Sequence, residues 1–352
     1  MARNESAIVN ALAYGGVRGL GILLSQFTVD QNMAVIGRVG DMWFERDVRR
    51  RTRALGNIRR SLPHLSEAEA LELTRLSMRH LLQMFVVEIF TAPRLITPST
   101  WHRYVRFGEV DEALRILASG CPALFITGHC GNFEVLGFTL ATVGYPLTAL
   151  ARPLDLPRVS DWLFDIRQRR GMKIMTKFGA MEKLPGLIES GEHVAFIADQ
   201  NAGDRGLFVP FFGRLASAYK SIGLLAIRYN APIVCGHAKR IEPDHFRYEI
   251  NAREIIRPEE WTTQPDPLFY VTARYNRAME NMVREAPAEY FWVHRRWKSR
   301  PRHEREARPF PSSLRRRLEQ LPWMTPAELD RIMEQSAIDT ADIQTRRRER
   351  GG

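Results

Sequence analysis

The stretch Cys121–Gly137, CPALFITGHCGNFEVLG, decides how this chain is read. Ala123–Thr127 is a short apolar run with Leu124, Phe125 and Ile126 side by side, the pattern of a strand buried on both faces of a sheet. Gly128 and Gly131 bracket His129, and from Phe133 onward Phe133, Leu136, Gly137, Leu140 and Ala141 recur at helical spacing. A strand that turns into a helix here puts His129 in the turn and Glu134 one turn into the helix. At that spacing a carboxylate can reach the imidazole, fix its tautomer and leave the other ring nitrogen free to take a proton from a hydroxyl. The competing reading is a loop histidine and a helix glutamate that never meet. Two flanking glycines and a helix N-terminus, which favours developing negative charge, weigh towards a site.

Outward from this turn, the 352 residues are enough for a large core, as one big domain or one domain with appendages. The apolar fraction of 45% is that of a globular protein, and the net charge of +11 suggests anionic partners: nucleic acid, acidic lipid or an acidic protein. Cys121, Cys130 and Cys235 form no CxxC and no even set, which implies reduced, cytosol-facing thiols and no zinc-like cluster. Cys130 reads better as a small apolar neighbour packed behind the turn than as a nucleophile.

Before the turn, Ile8–Phe27 carries no acid and one base, Arg18. On a helical wheel Ile8, Val9, Leu12, Leu20, Leu23 and Phe27 share one face. At 1.5 Å per residue the segment could just cross a bilayer. A central arginine costs roughly 2.5–3.5 kcal/mol on insertion scales, so a helix lying in the membrane interface fits the pattern better. An ordinary amphipathic core helix is the alternative. No small-residue cleavage site follows, so it does not read as a signal peptide. Arg46–Arg60 holds seven arginines against one acid. Such a run suits anionic headgroups at about 1 kcal/mol per charge, or forms a solvated helix face. Ser66–Glu69 is a capping box that opens a long helix to about Phe90, with Pro93 expected to end it. Glu88 is expected to be a buried, paired carboxylate.

After the turn, Pro146–Leu150, Lys173–Met175, His193–Ala198, Pro232–Ala238 and Tyr248–Asn251 read as strands. Helices lie between several of them, and Asp155–Gly171 is a loop and helix carrying Arg158, Arg167, Arg169 and Arg170. The alternation predicts an α/β fold, a central mixed, largely parallel sheet flanked by helices. His129, Arg152, and Asp199 with Gln200 all fall at carboxyl ends of strands, where open α/β sheets bind ligands. The expected division is a membrane-associating segment over 1–45, a catalytic domain over 46–301, and a tail over 302–352, partly disordered, where the composition turns to Arg, Glu and Pro.

Taken in order, GHCGNFE, the ARP at Ala151–Pro153, RQRRG at Arg167–Gly171, ADQN at Ala198–Asn201, FVPFFG at Phe208–Gly213 and WVHRRWKSRP at Trp292–Pro301 resemble the bacterial lipid A late acyltransferases. The resemblance covers roughly Ile8 to Pro301 and departs in the arginine of the N-terminal helix and in the tail. It implies a glycerolipid acyltransferase-like fold at the cytoplasmic face of the inner membrane. It also implies transfer of an acyl chain from acyl carrier protein to a hydroxyl of a phosphorylated glucosamine lipid, with His129 and Glu134 as the catalytic pair. A related branch uses acyl-CoA to acylate mannose on inositol phospholipids, and another glycolipid acceptor of that kind is the alternative.

On this view the turn's backbone N–H groups and Asn132 are candidates for the oxyanion. Arg152 and Arg167 are candidates for the acceptor's phosphates, since a guanidinium matches them bidentately; surface solvation is the other reading of both. Asp199 is placed to hold one of these arginines, and Gln200 joins it at the substrate edge. No metal or redox cofactor is implied. A hydrolase would use the same base on water, but the chain has no GxSxG elbow. A nucleic-acid-binding protein would explain the charge and WVHRRWK, but not the His129 turn or the apolar N-terminus.

Overall fold

The computed structural model describes residues 7–169, 171–176 and 179–351. The first residues of the expected N-terminal segment, 1–6, and Arg170 lie outside the described residues.

The chain opens on helices α1 (Ala7–Ser25), α2 (Val29–Arg46), α3 (Val48–Ser61) and α4 (Glu67–Gln83). Each start after the first has a physical cause. Thr28 and Gln31 form a capping box for α2, the Asp47 side chain accepts from Arg50 N to open α3, and Ser66 with Glu69 forms the expected box on α4. The long helix does not end at Pro93. It passes through a π-turn, Met84–Glu88, into α5 (Ile89–Leu95), which holds Pro93 inside it. Pro93 has no N–H to donate to the carbonyl four residues back, and the helix runs only two residues past it, to Leu95.

The sheet follows, in chain order: β1 (Val105–Phe107), α6 (Asp111–Ala118), β2 (Leu124–Thr127), α7 (Phe133–Thr142), β3 (Thr148–Ala151), α8 (Pro157–Gln168), β4 (Lys173–Thr176), α9 (Ala180–Glu189) and β5 (Val194–Ile197). A hairpin of β6 (Leu207–Phe211) and β7 (Arg214–Ala218) leads to α10 (Lys220–Tyr229). Then come β8 (Ile233–Arg240), β9 (Tyr248–Ile256), α11 (Pro258–Thr262) and α12 (Pro267–Glu285). The seven-stranded order is β1-β9-β8-β2-β5-β3-β4, with only β8 and β9 antiparallel. The mixed, largely parallel sheet therefore stands as expected. β1 and the β6–β7 hairpin were not legible, being three residues long in one case and folded on themselves in the other. β2 is buried along its whole length at the centre of the order, which is why it reads as one apolar run.

The apolar N-terminal helix is present as expected, and the other end of the chain is folded as well. α1 is long and apolar enough to cross a membrane by length and composition, and it exposes Ile8, Leu12, Ile22 and Leu23, with Phe27 exposed just beyond it. α2, within the same 1–45 segment, packs on α4 and buries Met33 and Phe44. Residues after Pro301 form α13 (Arg302–Arg305), α14 (Ser312–Glu319) and α15 (Pro326–Gly351) and bury Leu318, Leu321, Leu329 and Ile332 in the main core. Asp339 of α15 is 2% exposed and receives both Arg214, at 2.6 Å, and Arg300, at 2.5 Å. A tail read as partly disordered is thus clasped to the β6–β7 hairpin. Its low apolar content hid this, because the clasp is ionic.

Candidate active site

The parallel pairing of β2 with β5 builds the site. Thr127 lies opposite Ile197, so the residues two beyond each, His129 and Asp199, emerge side by side at the carboxyl edge. The Asp199 carboxylate takes both donors of the turn: Oδ2 accepts from the His129 backbone N at 2.9 Å, and Oδ1 lies 2.8 Å from Nδ1 of the ring. Gly128 allows this approach, since a Cβ there would stand 3.3 Å from Asp199 Cβ and Cγ. Gly131, at φ +69, needs to be glycine twice over, because a Cβ would also stand 2.3 Å from the Ala238 carbonyl oxygen. Asp199 is 2% exposed; burial alone would raise its carboxyl, but His129 beside it, with Arg296 behind, holds it below the usual carboxylate range. An ionised Asp199 keeps the ring proton on Nδ1 and turns Nε2 outward as an acceptor. Gln200 Nε2, 3.3 Å away, is the donor that faces it.

The carboxylate on the imidazole is therefore Asp199, not Glu134. Glu134 is 3% exposed in the first turn of α7 and is bound by Arg167 of α8 through two nitrogens, with Nε at 3.0 Å. The left-handed Gly131 and the extended Asn132 swing the start of α7 away from the ring, so proximity in sequence does not become contact. Arg167 is thus committed to Glu134, and Asp199 holds a histidine rather than an arginine. Asn132 is fully buried. Its oxygen caps α7 by accepting from Val135 N at 2.9 Å, and its Nδ2 donates to Glu88. The side chain expected to face the oxyanion instead braces the turn.

That brace is anchored in a buried polar cluster. Glu88, the last residue of the π-turn, also receives Arg240 and the Tyr248 hydroxyl. Its burial and pairing match expectation; its partners could not be read from a single run. Cys130 lies behind the turn with its Sγ 3.5 Å from Met282 O, and burial, with Glu289 and Asp199, pushes its thiol well up. It is a protonated packing residue. Arg296, within WVHRRWK, is 1% exposed. It donates to the carbonyl oxygens of Gln200, at 3.4 Å, and Ser217, and to Asn276 Oδ1 at 2.9 Å, and so fixes the segment that carries Asp199 and Gln200. A buried arginine in a basic run gives no signal by composition.

His129 opens on a cavity of about 600 Å³. Its walls are mainly apolar, with Phe85, Phe90, Phe133, Trp162, Phe196 and Ile222 among them. Val17 of α1 also reaches it, and Gln200, Arg152, Arg167, Tyr219 and Ser221 are among its polar members. The His129 ring is flanked by Phe133 at 5.5 Å and Phe291 at 5.6 Å between centroids. The Arg152 side chain is 66% exposed and, among the described residues, pairs with Asp155 at 3.5 Å. The sheet edge thus brings His129, Arg152, Asp199 and Gln200 to one place, as expected. A base whose Nε2 faces a mainly apolar cavity can deprotonate a hydroxyl beside a bound acyl group.

A model of the family described as bacterial lipid A biosynthesis acyltransferase matches residues 8–299. The chain belongs to this family. It is 28% identical over 157 residues to the lipid A biosynthesis lauroyltransferase of Escherichia coli K12, covering 44% of this chain and 50% of that one. It is 25% identical over 193 residues to the same organism's lipid A biosynthesis palmitoleoyltransferase, and equally to a lipid A biosynthesis acyltransferase of Shigella flexneri, covering 54% of this chain and 61% of each. The chain thus spans about half to three fifths of the length of the curated relatives it matches. Family membership agrees with the resemblance carried by the motifs, and with the one apolar N-terminal helix.

Proposed function

We propose that this protein transfers a fatty acyl chain from an acyl thioester to a hydroxyl of a phosphorylated glycolipid, a lipid A precursor in the first instance. The observation that carries the reading is the imidazole of His129, oriented by a buried carboxylate, at the rim of an apolar cavity. His129 Nε2 takes the proton from the acceptor hydroxyl as that oxygen attacks the thioester carbonyl. The new C–O bond forms, the C–S bond breaks, and the departing thiolate takes the proton from the imidazolium. Asp199 stabilises the imidazolium without itself being protonated, the role such a buried carboxylate plays beside a histidine base. General-base help contributes about 10²–10⁴-fold, and positioning in the cavity supplies much of the rest. Gln200, whose Nε2 lies 3.3 Å from His129 Nε2, is the side-chain donor offered to the developing oxyanion.

Glu134 acts through Arg167: the pair fixes the α7–α8 wall of the cavity. The donor is acyl carrier protein, with acyl-CoA the other thioester this site would accept. The membrane side follows from α1, which packs against α8 and lends Val17 to the cavity. A helix that touches the catalytic body at mid-length lies along the interface rather than across the bilayer. Its exposed apolar residues continue onto Val35, Val39 and Met42 of α2. The working site is the cytoplasmic face of the inner membrane, where thioester donors are available.

The test is acyl transfer by the purified full chain, in mixed micelles, from acyl carrier protein thioester to an incompletely acylated lipid A precursor. His129→Ala should lower turnover by at least about 10²-fold while melting and vesicle flotation are unchanged. Near wild-type turnover by the variant removes His129 from the chemistry.

A further inference from the structure

Phe85 is shared between the cavity and a second, more open groove of about 710 Å³. Among its lining residues are Trp43, Arg50, Arg53, Phe291, Arg295 and Lys298. The lining carries four cations and no carboxylate. Arg50 is paired with Asp47, but Arg295 and Lys298 are exposed and have no acidic partner among the described residues. Arg53 is half-buried and donates to Val293 O at 3.3 Å. Burial lowers its pKa, and the charges of Arg295, Arg49 and Arg50 lower it further. Two segments far apart in sequence, α3 and residues 293–298, thus press like charges together. Such a field attracts a compact anion, and the guanidinium forks match phosphate oxygens.

The groove leads to the base. Phe291 stands 5.6 Å from the His129 ring, and His294 Nε2 accepts from the backbone N of Asn201, next to Gln200. Trp43 and Phe291 add ring faces of the kind that a sugar packs against. By contrast, Arg167 is committed to Glu134, and Arg152 stands alone with Asp155. We propose that this groove is a phosphate-ester subsite that holds the phosphate of the acceptor's sugar headgroup while its hydroxyl is at His129. The assignment rests on the acyl-transfer reading. The donor's phosphate-bearing arm has the same chemistry, so the experiment separates the two sources.

The full chain is compared with Arg295→Ala/Lys298→Ala and with Arg316→Ala/Arg348→Ala, which removes the same charge from exposed helix positions elsewhere. Titration with inorganic pyrophosphate should show binding weakened about tenfold or more in the groove variant and unchanged in the control, since charge-assisted bonds are the strong ones. In transfer assays the groove variant should raise KM for the acceptor by a similar factor, with donor KM and kcat within about twofold. A rise in donor KM alone overturns the headgroup assignment and gives the subsite to the donor's arm. Equal pyrophosphate binding by all three proteins overturns the subsite altogether. A wild-type chain that binds pyrophosphate in the groove but transfers no acyl group leaves the subsite standing and removes the acyl-transfer reading.

Discussion

Two residues that line the cavity, His129 on one wall and Arg167 on the other, are each backed by a buried carboxylate, and the two carboxylates have thus taken opposite partners. Asp199, at the end of β5, is bonded to an imidazole; Glu134, in the first turn of α7, is bonded to a guanidinium. They are buried to nearly the same degree. Strand register delivers Asp199 to His129 across 70 residues of sequence, whereas Glu134, five residues away, is turned aside by Gly131 and Asn132. The lesson is that a parallel sheet edge, not spacing along the chain, decides which acid serves the base. One carboxylate can change the chemistry of its partner, because imidazole gains and loses protons near neutrality; the other cannot, because guanidinium does not.

The comparison predicts its largest effect at Asp199. Asp199→Asn keeps the shape but removes the charge that sets the tautomer, so turnover should fall by about 10²–10⁴-fold with the fold intact. Turnover within about tenfold of wild type would make the two walls equivalent and break the contrast. Next comes stability on the other wall. Glu134→Ala leaves Arg167 largely buried and uncompensated, which should cost about 3–5 kcal/mol in urea melts, and Glu134→Leu/Arg167→Met should regain most of it. Glu134→Gln should retain turnover within about tenfold. A loss equal to that of His129→Ala, without loss of stability, would return Glu134 to the chemistry.

A third test uses pH and sharpens the Asp199 side. His294, behind that carboxylate, is pushed down to about 4, chiefly by burial; Asp199 opposes the shift, and His129, Arg296 and Arg53 add to it. The folded protein refuses a proton that the unfolded chain accepts below about 6.5, so this residue's contribution to stability is complete above that pH. It is lost as pH falls towards about 4. His294→Gln should flatten the stability slope between those values relative to wild type; identical slopes would mean that the ring is not held neutral. The smallest effect belongs to Arg152. With two thirds of its side chain exposed and one exposed partner, Arg152→Ala should change acceptor KM by no more than a few-fold. A tenfold rise would move the phosphate contact to this edge.

What the chain reveals before folding follows the same division. The buried strand Leu124–Thr127, the turn at His129 and the meeting of His129, Arg152, Asp199 and Gln200 at one edge are written in periodicity and strand endings. Partner choice is not, because it depends on register between strands and on one left-handed glycine. Nor are Arg296, Arg240 and Asp339, whose burial is made possible by partners 20 to 152 residues away. Charged residues look alike in sequence whether they face water or each other. The docked C-terminal helices and the π-turn that seats Glu88 were lost for that reason.

The clasp on Asp339 also bears on how the molecule is made. Arg214 is synthesised 125 residues ahead of the carboxylate that neutralises it. At translation speeds of about 5–20 residues per second, the β6–β7 hairpin waits for roughly 6–25 seconds with its cation unanswered. His129 and Asp199 leave the ribosome well before that. The nascent chain therefore holds its reactive pair, and the paired strands of the hairpin, before the carboxylate that neutralises Arg214 exists.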